Sequence, residues 1–184
     1  MMQPPNPSLV IDLSDLQQGL PAITPAFGAA LAEASAICLT YQGHKPRAVL
    51  EVKGDFEDRY LLLWSEVTEQ MRRCWNDEEY TTEQGAYGIA LLLIQRLTGF
   101  TVIERSRRGT GFDYWLGTPS ESGDLPFQKS ARLEVSGIRR GSASQIRTGA
   151  TLKMAQVKTT DSPVPAYVAV IEFSQPLAWV GKYE

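Results

Sequence analysis

The sequence predicts a mixed α/β domain of the α+β kind, with a helical N-terminal part ahead of a strand-rich C-terminal part. Three observations carry that prediction. Hydrophobic residues make up 43% of the 184 positions and charged residues 21%, the balance of one globular domain with a real core. The hydrophobic period changes from helical to alternating at Gly99. From residue 82 onward the elements read helix, strand, strand, strand, helix, strand. The expected division of the single domain, 1–184, is an N-terminal helical elaboration over 1–80 and a core over 82–174.

Each element has its own local reason. Pro4, Pro5 and Pro7 make the start an extended arm. Residues 26–42 place Phe27, Leu31, Ala34 and Cys38 on one helical face, and Gly43 ends that helix. AVLEVKG, 48–54, reads as a short strand. Residues 57–76 read as a long helix, from the spacing of Leu61, Trp64, Val67, Met71 and Trp75. A further helix spans 82–98, with Thr81 and Gln84 in capping-box form. Its run Ile89–Ile94 is apolar nearly all round, which predicts a buried helix.

Three strands follow, at 100–106 (FTVIERS), 112–117 (FDYWLG) and 131–138 (ARLEVSGI). The RRGTG turn and the TPSESGDLP loop join them. RRGSAS leads into a helix over 143–158. AYVAVIEF, 166–173, is the last core strand, with an edge strand near 178–183.

Composition narrows the chemistry. Net charge is −3, which gives no global sign of a nucleic-acid partner. The run Ile89–Ile94 is far short of a membrane span. The start carries no basic or apolar stretch of a secretory signal. Cys38 and Cys74 lie far apart without metal spacing, so reduced thiols in a cytoplasmic protein are expected. His44 is the single histidine and sits in a QGHKP stretch, where an exposed loop residue is expected. That count argues against His–Cys zinc sites, HExxH hydrolases and His–Asp relays. The chemistry is left to carboxylates and lysines.

Asp113 falls in the second strand of the run, and its neighbours Phe112 and Tyr114 should point to the opposite face. Glu134 falls in the third strand, where Leu133 and Val135 alternate to the core side. Two carboxylates on one face of adjacent strands can chelate a hard divalent ion through oxygen. Each residue also has an ordinary reading. Asp113 could accept turn hydrogen bonds from Gly109–Gly111. Glu134 could pair with Arg132 or Arg105. Glu83 could favour the positive end of its helix, and Lys153 could be a surface lysine. The topological order of all four favours the joint reading.

This order, with Asp113 and then Glu134 on successive strands, resembles the PD-(D/E)XK nuclease superfamily and its restriction-endonuclease-like αβββαβ core. The resemblance covers about residues 82–174. It implies Mg²⁺- or Mn²⁺-dependent hydrolysis of DNA, in restriction or phage defence. It makes Asp113 and Glu134 metal ligands, and Glu83 the acidic residue of the preceding helix. The family lysine two residues after the strand glutamate is replaced here by Ser136. Lys153 on the next helix is the candidate replacement, and Gln156 resembles the helical glutamine of several branches. Glu51-Val52-Lys53 is a literal E-x-K, but no carboxylate-bearing strand precedes it. It reads as an accessory hairpin or edge strand with its charges in water, with a minority reading that keeps Lys53 near the site.

Between Arg105 and Lys158 stand ten Lys/Arg against four acids. Arg107, Arg108, Arg139, Arg140 and Arg147 flank the expected site and could meet phosphates. Loss of the family lysine leaves a rival function: a catalytically degenerate nucleic-acid-binding or partner-assembly module. A homodimer or protein partner could also use aromatics on helices 26–42 and 57–76.

Overall fold

The computed structural model describes residues 9–119 and 128–184. The proline arm at 4–7 and most of the TPSESGDLP loop lie outside the described residues. Eight strands form one mixed sheet: β1 Val10–Asp12, β2 Arg47–Gly54, β3 Asp58–Leu63, β4 Thr101–Arg105, β5 Tyr114–Gly117, β6 Ala131–Ile138, β7 Ala166–Glu172 and β8 Leu177–Tyr183. Their spatial order is β1-β3-β2-β8-β7-β6-β5-β4. The helices are α1 Pro25–Tyr41, α2 Glu69–Cys74, α3 Glu78–Thr98 and α4 Ala143–Lys158, with a 3₁₀ turn at Leu13–Gln18.

Strands β4, β5 and β6 run antiparallel to their neighbours in turn. β6 then pairs in parallel with β7, and α4 makes the crossover between them. Every residue of β7 is buried, as expected of a central strand covered on both faces. One face packs on α1 and α3. There Leu31, Leu39, Leu91 and Leu93 meet Tyr114, Leu133, Val135 and Ile171. On the other face Ile146, Ala150 and Val157 of α4 cover Val168 and Val170. Helices α1 and α3 approach closely because Gly88 has no side chain: a Cβ there would fall 2.2 Å from Ser35 Oγ.

Several expectations need correction. The long helix over 57–76 does not exist. Residues 58–63 form β3, with Tyr60 and Leu62 buried on alternate positions and a full antiparallel register to β2. Only Glu69–Cys74 is helical, capped by the Thr68 hydroxyl. The apparent helical spacing joined residues of two different elements. The N-terminal part is therefore not purely helical, since β1, β2 and β3 extend the same sheet.

Helix α3 starts earlier than expected. Asp77 is its N-cap, accepting from Tyr80 N–H at 2.8 Å, and Thr81 is an interior residue whose hydroxyl donates back to Asp77 O. β8 is an interior strand between β2 and β7. His44 is half-buried, with Nε2 3.0 Å from the Phe173 carbonyl oxygen. No helix among the described residues is long and apolar enough to cross a membrane.

Candidate functional site

The site forms where β5 and β6 part. Their pairing ends at the Tyr114–Leu133 register. Asp113 lies just before β5, and its N–H donates to Leu133 O at 2.8 Å. Beyond that point the Val135 N–H turns to the Asp113 side chain, donating to Oδ2 at 2.8 Å. The other oxygen, Oδ1, accepts from the Tyr87 hydroxyl of α3 at 2.8 Å. Asp113 is thus held by α3 and β6, and none of these bonds comes from the Gly109–Gly111 turn. Its neighbour Tyr114 enters the larger core. Phe112 departs from the expected alternation and packs on Trp115, with ring centroids 4.8 Å apart.

Glu134 sits in the middle of β6 and faces α4, while Leu133 and Val135 enter the opposite core. Its Oε1 accepts from Lys153 Nζ at 2.5 Å and from Gln156 Nε2 at 3.2 Å. The same Gln156 nitrogen donates to Gly111 O at 3.1 Å. One amide therefore ties α4 to β6 and to the loop before Asp113. Burial, and then the charge of Asp113, push the Glu134 carboxyl up to about 7, against the opposing pull of Lys153. Neither Arg132 nor Arg105 is its partner. Arg132 donates to Val157 O and Val164 O, at the end of α4 and in the loop beyond it.

The sequence places Lys153 here through the register of α4. Ser142 and Gln145 cap the helix reciprocally. Ile146, Ala150 and Val157 form its buried stripe, and Lys153 occupies the intervening position of that stripe. An apolar seam interrupted by one lysine puts that cation against the sheet.

Asp113, Glu134 and Gln156 line a cavity of about 590 Å³ with Glu83, Tyr87 and the Arg105–Gly109 segment. A neighbouring hollow of about 470 Å³ shares Glu83 and is lined by Ser136, Arg139 and Lys153. Glu83 is exposed, one turn before Tyr87 on α3. Among the described residues no group of three His, Cys, Asp or Glu side chains is close enough to hold a metal, so Glu83 does not close on the acid pair.

The expected arginines separate. Arg107 and Arg108 line the cavity. Arg139 lines the neighbouring hollow, with Nε 3.4 Å from Glu78 Oε1. Arg140 is held by Gln42 Oε1 at 3.0 Å, and Arg147 lines a different hollow beside Asp55 and Trp179. The two charges of the E-x-K stretch pair with each other, Lys53 Nζ to Glu51 Oε2 at 3.3 Å. They lie on β2, with β8 and β7 between them and β6. Tyr87 and Arg105 were absent from the sequence-derived site. The signal for Tyr87 was its place four residues after Glu83 on one helical face.

No protein-family model, no curated protein and no solved structure matches the chain.

Proposed function

We propose that this chain is a divalent-metal-dependent nuclease that hydrolyses DNA phosphodiesters. One observation carries the reading. Asp113, Glu134, Lys153 and Gln156 converge where β5 and β6 part, beside a cavity edged by Arg107 and Arg108. The run α3-β4-β5-β6-α4-β7, antiparallel and then parallel, supports the resemblance to the PD-(D/E)XK superfamily. Restriction or phage defence is the setting which that resemblance implies.

The donor set fits a hard ion such as Mg²⁺ or Mn²⁺. It offers carboxylate oxygens only, and the Asp113 charge raises the cost of ionising Glu134, a repulsion that a cation relieves. Asp113 and Glu134 would hold the ion. Once bound, it would polarise a phosphoryl oxygen and lower the pKa of the attacking water. The Lys153 ammonium supplies positive charge where Ser136 has none, and can stabilise negative charge developing on phosphate. Tyr87 and the Val135 N–H hold Asp113 in one orientation before substrate arrives. Gln156 fixes the lysine-bearing helix to the loop ahead of Asp113.

The test is cleavage of supercoiled plasmid and single-stranded DNA with Mg²⁺, Mn²⁺ or EDTA. Metal-dependent cutting that disappears in Asp113→Ala and Glu134→Gln is the expected result. DNA binding with no cutting in either metal would replace it with the non-catalytic binding module. Neither binding nor cutting would remove nucleic acid as the partner.

A further inference from the structure

We infer that Arg105 grips a backbone phosphate of the bound strand beside the acid pair; this rests on the DNA reading above. Arg105 ends β4, opposite Tyr114 of β5, and lines the same cavity as Asp113 and Glu134. Its guanidinium lies over two rings, with Cζ 5.7 Å from the Tyr87 centroid and 5.5 Å from that of Tyr114. Nη1 also donates to the Tyr114 hydroxyl at 3.4 Å. Both tyrosines are buried, so the platform is rigid.

This arginine is held by neutral groups. Among the described residues it forms no ion pair, whereas the adjacent Glu104 pairs with Lys129 at 3.2 Å. Asp113 is not its ion-pair partner: the two Asp113 oxygens accept from the Tyr87 hydroxyl and the Val135 N–H. A guanidinium has five N–H donors in a planar fork, and Tyr114 occupies one. The rest are available to an anion in the cavity, and a phosphate matches the fork in a bidentate manner. Tyr87 joins the two functions. Its face carries Arg105 and its hydroxyl orients Asp113, so the gripped phosphate sits in fixed relation to the acids.

The experiment is a cycle between protein and DNA. Binding of a short duplex is measured by fluorescence anisotropy in Ca²⁺, for wild type, Arg105→Ala and Arg105→Lys. The duplexes carry a single neutral methylphosphonate moved along each strand. Wild type should lose about tenfold in affinity at one substituted phosphate. Both variants should bind the unmodified duplex about tenfold more weakly and be indifferent to that same substitution. Arg105→Lys keeps charge and fold but lacks the fork and the flat face that stacks on the rings. Cleavage by the variants should show a raised KM with a smaller change in kcat. If both variants keep the wild-type affinity and methylphosphonate profile while wild type cuts DNA, the role of Arg105 is refuted and the nuclease reading stands. If wild type binds no duplex, both readings fail together.

Discussion

Lys153 and Glu134 form an ion pair across the α4–sheet boundary, with Nζ 2.5 Å from Oε1 and the glutamate side chain only 4% exposed. The lysine is 30% exposed and reaches in from the neighbouring hollow that it lines with Ser136 and Arg139. A carboxylate buried that far needs a cation, and losing it leaves an uncompensated charge. Lys153 therefore offsets part of the cost of that buried charge, and under the proposed function it serves chemistry too.

Lys153→Ala should abolish DNA cleavage about as completely as Asp113→Ala. The stability cost should be modest, about 1–3 kcal/mol, because Glu134 can take up a proton when its partner is gone. Urea unfolding at pH 8 and plasmid cleavage in Mg²⁺ check the two halves. Normal cutting by Lys153→Ala beside a dead Asp113→Ala would reduce the lysine to a structural role.

How far this pairing was legible depends on the element. The run from α3 to β7 is readable because glycine- and proline-containing turns bound its short apolar strands and its helices carry capping residues, as at Ser142. β6 and α4 came out with the bounds expected. Of the four residues the sequence groups, Asp113, Glu134 and Lys153 meet and Gln156 joins them, while Glu83 stays exposed on the cavity rim. In the segment 57–76, Leu61, Trp64, Val67, Met71 and Trp75 mimic a helical stripe although they belong to β3, α2 and the residues that flank them. Only the hairpin pairing of Tyr60 and Leu62 against β2 reveals the strand. Tyr87 and Arg105 stayed hidden for a similar reason, since their roles arise from the approach of α3 to β4 and β5. For Arg140 and Arg147 the sequence offers charge alone, which says nothing about where a turn or a helix face points.

The acid pair should leave a signature in stability against pH. Glu134 has its carboxyl raised from 4.5 to about 7, so between those values the folded protein keeps a proton that the unfolded chain has released. The sign is that stability falls as pH rises through this window and levels off above it. Glu134→Gln should flatten the slope and make the metal-free protein more stable at pH 8. Urea midpoints from pH 5 to pH 8 in EDTA measure this, and an equal slope in the variant would place the titration elsewhere.

Tyr87→Phe removes one hydrogen bond to Asp113 and keeps the ring beneath Arg105. It should lower kcat several-fold, since a bond of this kind contributes about 1 kcal/mol, and leave KM nearly unchanged. Steady-state cleavage kinetics separate the two. A rise in KM alone would assign Tyr87 to substrate binding instead.

Gly137→Ala tests how β6 is set against α3. A Cβ there would lie 2.6 Å from Thr82 O, which is backbone and can yield only if the helix moves. The substitution should cost about 1–3 kcal/mol and displace Tyr87 from Asp113, lowering cleavage as well. Thermal unfolding and cleavage rates should fall together, and full activity in a destabilised variant would show that α3 need not hold its place.

The site as a place for a divalent ion is tested most directly by anomalous diffraction from crystals soaked in Mn²⁺. One strong peak is expected in contact with carboxylate oxygens of both Asp113 and Glu134, absent from Asp113→Ala crystals. No peak there at saturating Mn²⁺, with Lys153 still bonded to Glu134, would contradict it.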